Sequence, residues 1–251
     1  MKRQTLRKFL NFTTIAAVII VITVIYFYSK DAMVTQAVLA SMIRQSTPLI
    51  LGALCGVMCE RSGIINIGIE GQMLFAAFVG FLVSAYSGSL LLAVAASMLT
   101  GAILGLLLAF MSINLKLDQV IGGTVINILA LGLTGYFYTQ GLVTKGKLQP
   151  VALGPLADIP LIGPVLFDNP PITYAAIVLV FAVHYLLFYT KWGLRIRAVG
   201  EHPRAADTLG INVNLTRYLS TIAGGAIVGL AGGFLTLEAV GSFERAMTNG
   251  R

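Results

Sequence analysis

Apolar residues along the chain gather into long runs separated by short polar stretches, and runs of about 20 such residues predict membrane-crossing helices. The runs fall at 9–28, 49–59, 72–86, 90–113, 120–142, 172–190 and 218–237. They predict an all-α, polytopic integral membrane protein with about seven transmembrane helices. The second run is too short to span alone. It follows a mixed stretch, 33–43, and the interruption Arg44-Gln45-Ser46-Thr47-Pro48, so this span is either extended by an upstream helix or broken. Arg44 is expected to reach outward to the membrane boundary.

Two polar passages break the pattern most clearly. Residues 60–75, ERSGIINIGIEGQMLF, carry Gly63, Gly68, Gly71, Asn66 and Glu70 between two apolar segments. One reading is a broken or re-entrant segment near 60–72, because irregular backbone at membrane depth is tolerated only where it is buried in protein or lines a cavity. A half-helix starting near Gly71 would then aim free N–H groups at whatever sits there. The other reading is an ordinary turn between two spans. Residues 191–217 hold five basic residues (Lys191, Arg195, Arg197, Arg204, Arg217) against Glu201 and Asp207. Within them Pro203 suits a first helical position and Gly210 a left-handed stop, predicting a helix over 203–209. Seven residues at about 1.5 Å each cannot cross a bilayer, so this helix lies along the surface.

Composition agrees. Hydrophobic residues make up 57% of the 251 and charged ones 11%, against about 25% charged in soluble domains; the mean hydropathy is +0.88. The formal charge of +7 is dispersed among short loops, which points to lipid headgroups and topology rather than nucleic acid. Segments placed inside by an N-inside arrangement hold 11 Lys and Arg, outer ones five, with Arg44 unassigned. That bias predicts a cytoplasmic N-terminus, with 1–8 leading a start anchor rather than a cleaved signal peptide.

Candidate chemistry is sparse. Cys55 and Cys59 share a helix face and read as small apolar fillers, and two scattered histidines argue against a metal site. His184, alone in its span, reads as packing or an interhelical hydrogen bond. Asn127 either bonds a neighbouring helix or faces substrate. Residues 141–148 nearly spell a phosphate-binding loop, but Leu148 replaces the required hydroxyl and no strand–helix unit surrounds it. Gly101-xxx-Gly105 and Gly225-xxx-Gly229-xxx-Gly233 are stripes for close helix contact. Six of the eight prolines lie in 143–171, an extended outer segment that serves as a lid, a docking surface or a passive connector.

Ala205-Ala206, three residues, then Gly210 resembles the loop by which ABC-importer permeases grip their ATPase. With Gly200-Glu201-His202-Pro203 before it, the stretch resembles the G-E-N-P-x-A-A-x-x-x-G-I form of the permeases for simple sugars, nucleosides and branched-chain amino acids. Arg204 stands where many such loops carry Glu. Gly63, Asn66, Ile67, Gly68, Glu70, Gly71 and Gln72 are similar to the G-x-x-N-I-G-x-E-G-Q pattern of the nucleoside-type branch.

The resemblance implies an ABC-importer permease of a bacterial inner membrane. Gly200, Glu201, Pro203, Arg204, Ala205, Ala206 and Gly210 would form the cytoplasmic coupling helix and its approach, and Asn66, Glu70, Gln72 and Asn127 would line the substrate path. The implied partners are cytoplasmic ATP-binding subunits, a second permease chain in a heterodimer, a periplasmic or extracellular substrate-binding protein and the lipid bilayer. No cofactor, metal or enzymatic activity is expected. Nucleosides come first as cargo, then simple sugars or branched-chain amino acids. Family members continue past the point where this chain stops, so 1–251 is expected to be a single permease domain, C-terminally truncated. An ion-coupled secondary transporter would need intramembrane acids, and only Glu70 and Glu238 offer themselves. A non-transporting scaffold would have little use for the glycine-rich break.

Overall fold

The structure, a computed structural model, describes residues 2–138, 143–144, 146–245 and 247–248, with the backbone alone for 2–13. Among these, six helices are long and apolar enough to cross a membrane, and the stretch Thr14–Lys30 adds a shorter apolar one. The protein is thus a multi-pass membrane protein, helical nearly throughout.

The chain divides into two compact units, 1–44 with 151–169, and 45–150 with 170–251. The first holds α1 (Lys2–Lys30), the start of α2 (Ala32–Glu60) and a small folded insert. In the insert β1 (Val151–Ala152) pairs antiparallel with β2 (Asp168–Asn169), and α6 (Ile162–Leu166) lies between them. The proline-rich segment is therefore folded rather than simply extended. Prolines cannot donate to a ladder, which keeps the strands to two residues each. Arg44, expected to reach outward, is instead tied to the insert: its guanidinium donates to the Asp168 carbonyl at 3.0 Å and to Asn169 Oδ1 at 3.3 Å.

The second unit packs the rest of α2 with α3 (Ile69–Ser87), α4 (Leu90–Ile113), α5 (Gln119–Phe137), α7 (Pro171–Tyr189), α8 (Lys191–Glu201), α9 (Pro203–Thr208) and α10 (Val213–Gly233). A π-helical turn, Phe234–Val240, continues α10. The α2 run is extended, not broken: the helix passes through Pro48. Proline removes one ladder bond, a loss that neighbouring helices can offset in a membrane bundle. Next to it Thr47 is buried and donates to Thr173 Oγ1 at 3.4 Å.

Helix starts carry the side chains that satisfy their free N–H groups. Asp118 accepts from Val120 N at 2.8 Å, Thr190 from Gly193 N at 3.1 Å and Asn212 from Leu215 N at 2.9 Å. Glu238, in the π-turn, is buried and caps α7 from a distance, accepting from Ile172 N at 3.0 Å and Thr173 Oγ1 at 2.5 Å.

The two glycine stripes meet each other. A Cβ on Gly101 would lie 2.2 Å from the Gly225 carbonyl oxygen, and one on Gly229 2.4 Å from that of Ser97. The backbones of α4 and α10 therefore touch, a contact that only glycine permits and that dispersion favours where lipid offers no hydrophobic drive. Against α10 the core is built from Leu51, Cys55 and Cys59 of α2, Met73 of α3 and Leu187 of α7. The charged passage 191–201, read from the sequence as loop, is helical as α8. Ile196 and Val199 are buried while Lys191 and Arg195 stay exposed.

Candidate functional site

The chain leaves α2 at Glu60 and enters α3 at Ile69, and the eight residues between them are irregular. Gly63 has φ of +83°, a left-handed turn that a Cβ would strain. Gly68 and Gly71 press the start of α3 onto α5: a Cβ on Gly71 would lie 2.6 Å from Asn127 Cα, and one on Gly123 would lie 2.7 Å from Gly68 N.

Asn66 sits at the centre of the break and is 7% exposed. Its Oδ1 accepts from Gly68 N at 3.0 Å, and its amide donates to Gln72 Oε1 at 3.1 Å and to Cys55 Sγ at 3.4 Å. Gln72 is fully buried, and its Nε2 has no hydrogen-bond partner. A buried unpaired amide costs about 1–3 kcal/mol, so Gln72 stores a cost in the wall of the site. Asn127 accepts from Gly71 N at 2.7 Å and donates to the Ile67 carbonyl at 3.1 Å. The N–H at Gly71, expected from the sequence to be free for a ligand, is thus taken by α5. The helix it opens is full length rather than a half-helix.

Beside the break lies a cavity of about 490 Å³ between α2 and α3. Its polar lining is Glu60, Asn66 and Glu70, and its apolar walls include Leu49, Val57, Ile69 and Met73. Small-molecule sites of this kind span about 300–1,000 Å³ and combine apolar walls with a few polar groups. Of the four residues expected to line a substrate path, Asn66 and Glu70 line this cavity, whereas Gln72 and Asn127 are not in its lining. Glu60 was not anticipated; its place in the last turn of α2 becomes visible only once that helix is known to run unbroken.

The short surface helix is α9, one residue shorter than expected. Ala206 is buried, whereas Arg204, Ala205 and Gly210 are exposed and Pro203 is half-buried. Gly210 has φ of +78° and closes the turn after it. A concavity of about 540 Å³ beside α9 is lined by Pro203, Arg204, Asp207 and Gly210, among others. Gly200, in the last turn of α8, has another role: a Cβ there would lie 2.3 Å from the Arg61 carbonyl oxygen. Arg217 of α10 donates to the Ser62 carbonyl at 3.2 Å. The α8–α9 region and α10 therefore both rest on the break that borders the cavity. Sequence spacing could not reveal this joint, which links residues more than a hundred positions apart.

Among the described residues no cluster of His, Cys, Asp or Glu could hold a metal ion. The near phosphate-binding stretch at 141–148 lies in part outside the described residues.

Membrane-length helices, with a solute-sized cavity at the break between two of them, define a multi-pass membrane protein. Residues 38–247 match the family described as branched-chain amino acid transport system / permease component, and the chain belongs to that family. It is 37% identical over 220 residues to the guanosine ABC transporter permease protein NupQ of Bacillus subtilis, covering 82% of this chain and 69% of that one. The putative glucose ABC transporter permease protein TsgC13 of Haloferax volcanii is 36% identical, covering 85% of this chain and 66% of that one. The nucleoside ABC transporter permease protein NupC of Lactococcus lactis is 34% identical, with 83% and 70% covered. No solved structure matches the chain. Permease components are transport subunits, not enzymes.

Proposed function

We propose that this chain is the transmembrane subunit of an ABC importer that carries nucleosides. The observation that carries the reading is the joint between Gly200 and Arg61, beside a cavity whose lining includes Asn66 and Glu70. Similarity to permeases named for guanosine and nucleosides supports the choice of cargo. A purine fits the apolar wall of Leu49, Val57, Ile69 and Met73, and the carboxylates of Glu60 and Glu70 accept hydrogen bonds from base N–H or ribose hydroxyl groups. Gln72 and Asn127 hold the wall in place.

On this reading Glu201, Pro203, Arg204, Ala205, Ala206 and Gly210 meet a cytoplasmic ATP-binding subunit, and the N-terminus lies inside. A second permease chain, as a heterodimer, completes the path, and a substrate-binding protein delivers the solute from outside. ATP-driven closure of the partner displaces α9. The displacement passes through Gly200 to the 61–63 turn and so to the cavity wall. Each driving ligand must bind one state more tightly than the other, since equal affinity shifts nothing.

The test is uptake of labelled guanosine by cells with and without the chain, in the presence of unlabelled ribose or leucine. Uptake that requires the chain and resists both competitors supports the reading. Loss of competition resistance to ribose would move the cargo to simple sugars, the second reading, which the likeness to TsgC13 favours.

A further inference from the structure

The helix α8 leaves the membrane span α7 at an aromatic end, where Phe188 and Tyr189 are exposed. Its outer face carries Lys191, Trp192, Leu194 and Arg195, all exposed. Aromatic and basic side chains together at the end of a span are the marks of a helix lying in the headgroup layer. The Arg195 guanidinium stands over the Trp192 ring at 5.6 Å, and that of Arg197 over Phe188 at 5.2 Å. Stacking on a ring face fixes each guanidinium plane while leaving its N–H fork to other acceptors. The Nε of Arg197 is buried and has no hydrogen-bond partner.

Trp192, over which Arg195 stands, also lines a cavity of about 300 Å³ whose exposed lining is almost wholly apolar. Met58 of α2, Leu186 of α7, Trp192 and Ile196 of α8, and Leu219 and Ala223 of α10 are its apolar lining, with Thr216 and Ser220 beside them. Two exposed cations one turn apart, Lys191 and Arg195, beside an apolar slot that Trp192 lines match one class of molecule, which has an anionic head and a hydrocarbon tail.

We propose that α8 and this slot form a binding site for an anionic phospholipid. Lys191 and Arg195, one helical turn apart on the exposed face of α8, hold the phosphate, and one acyl chain enters the slot between α7 and α10. The lipid touches α2 at Met58, in the last turn before the helix break, so its occupancy bears on the segment that borders the transport cavity. The site is separate from that cavity and does not depend on what is transported.

Trp192 is the only tryptophan in the chain, which makes it a built-in reporter. The full chain is reconstituted into phosphatidylcholine vesicles containing rising fractions of brominated phosphatidylglycerol or, in parallel, brominated phosphatidylcholine, and Trp192 quenching is recorded. With about fivefold gained for each basic side chain near anionic lipid, half-quenching by the anionic lipid is expected at a mole fraction lower by about tenfold or more. The preference should shrink in R195Q and vanish in K191Q/R195Q, while K116Q, in the loop between α4 and α5, keeps it. Equal quenching by the two lipids would overturn the proposal by showing an ordinary bilayer-facing surface. A preference that survives in K191Q/R195Q would overturn it equally, by removing both cations from the site. Neither outcome touches the transport reading, which this assay does not measure.

Discussion

Replacing Gly200 with alanine places one methyl group in the joint between α8 and the helix break. Its Cβ would stand 2.3 Å from the Arg61 carbonyl oxygen and 2.9 Å from that carbonyl carbon. Cβ atoms essentially never approach closer than 3.0 Å, so the two segments must part by at least 0.7 Å, from 2.3 to 3.0 Å. Both opposing atoms are backbone, and no side-chain rotation can relieve the clash. Overpacking of this kind costs about 1–3 kcal/mol, which lowers the population of the closed joint by about 5- to 150-fold. Gly132→Ala, a helix position with nothing within 4 Å of the new Cβ, is the matched control. Two readouts apply: initial uptake of labelled guanosine, and melting temperature, which should fall by about 2–4 °C for each kcal/mol at this chain length. The exposed face of α9 is untouched, so recovery of the ATP-binding subunit in a pull-down should be unchanged. If Gly200→Ala melts and transports like Gly132→Ala, the joint carries neither stability nor motion, and the coupling route through it is wrong.

Three further outcomes follow from other contacts. Gly101→Ala drives a Cβ to 2.2 Å from the Gly225 carbonyl oxygen and should destabilise the α4–α10 pair by at least about 1–3 kcal/mol, seen as a lower melting temperature or loss of folded protein; a normal melt would refute the packing. Glu238→Ala strands the Ile172 N–H and Thr173 hydroxyl in a buried place, costing about 1–3 kcal/mol for the lost partner, whereas Glu238→Gln, which keeps an acceptor, should lose less; equal melting of the two would deny Glu238 its capping role. Asn66→Ala removes the donor to Gln72 and the acceptor for Gly68 N; uptake should be lost while membrane assembly persists, and unchanged uptake would remove Asn66 from the path.

Most of the architecture was legible because a membrane imposes it. Apolar runs of spanning length and the glycine stripes of α4 and α10 each carry a local physical reason that needs no knowledge of neighbours. Pro48 left two readings open, an extended span or a broken one, and the helix runs through it because α2 lies inside a bundle. Helix α8 escaped notice because its charges resemble a solvated loop, and only their spacing around Ile196 and Val199 betrays an amphipathic helix. At the site, Asn66 and Glu70 stood out as polar groups in an apolar setting. Asn127, read as bonding a neighbouring helix or facing substrate, bonds the start of α3; the roles of Gly200 and Arg217 were not legible, since each depends on what a distant segment brings to it.

The π-turn Phe234–Val240 makes this end of the fold sensitive to residue number more than to residue type. Taking out one residue there would turn every later side chain by about 100° around the helix axis. Hydropathy would hardly change. Yet Glu238 would swing away from the start of α7, and the Leu237 carbonyl, which accepts from Leu148 N at 2.9 Å, would face elsewhere. The Gly241 carbonyl, which accepts from the Thr144 hydroxyl at 2.7 Å, would go with it. A one-residue deletion in this turn is thus a frameshift in space, silent in composition and audible in wiring. Chimeras that exchange the segment between relatives should conserve its length first and its letters second.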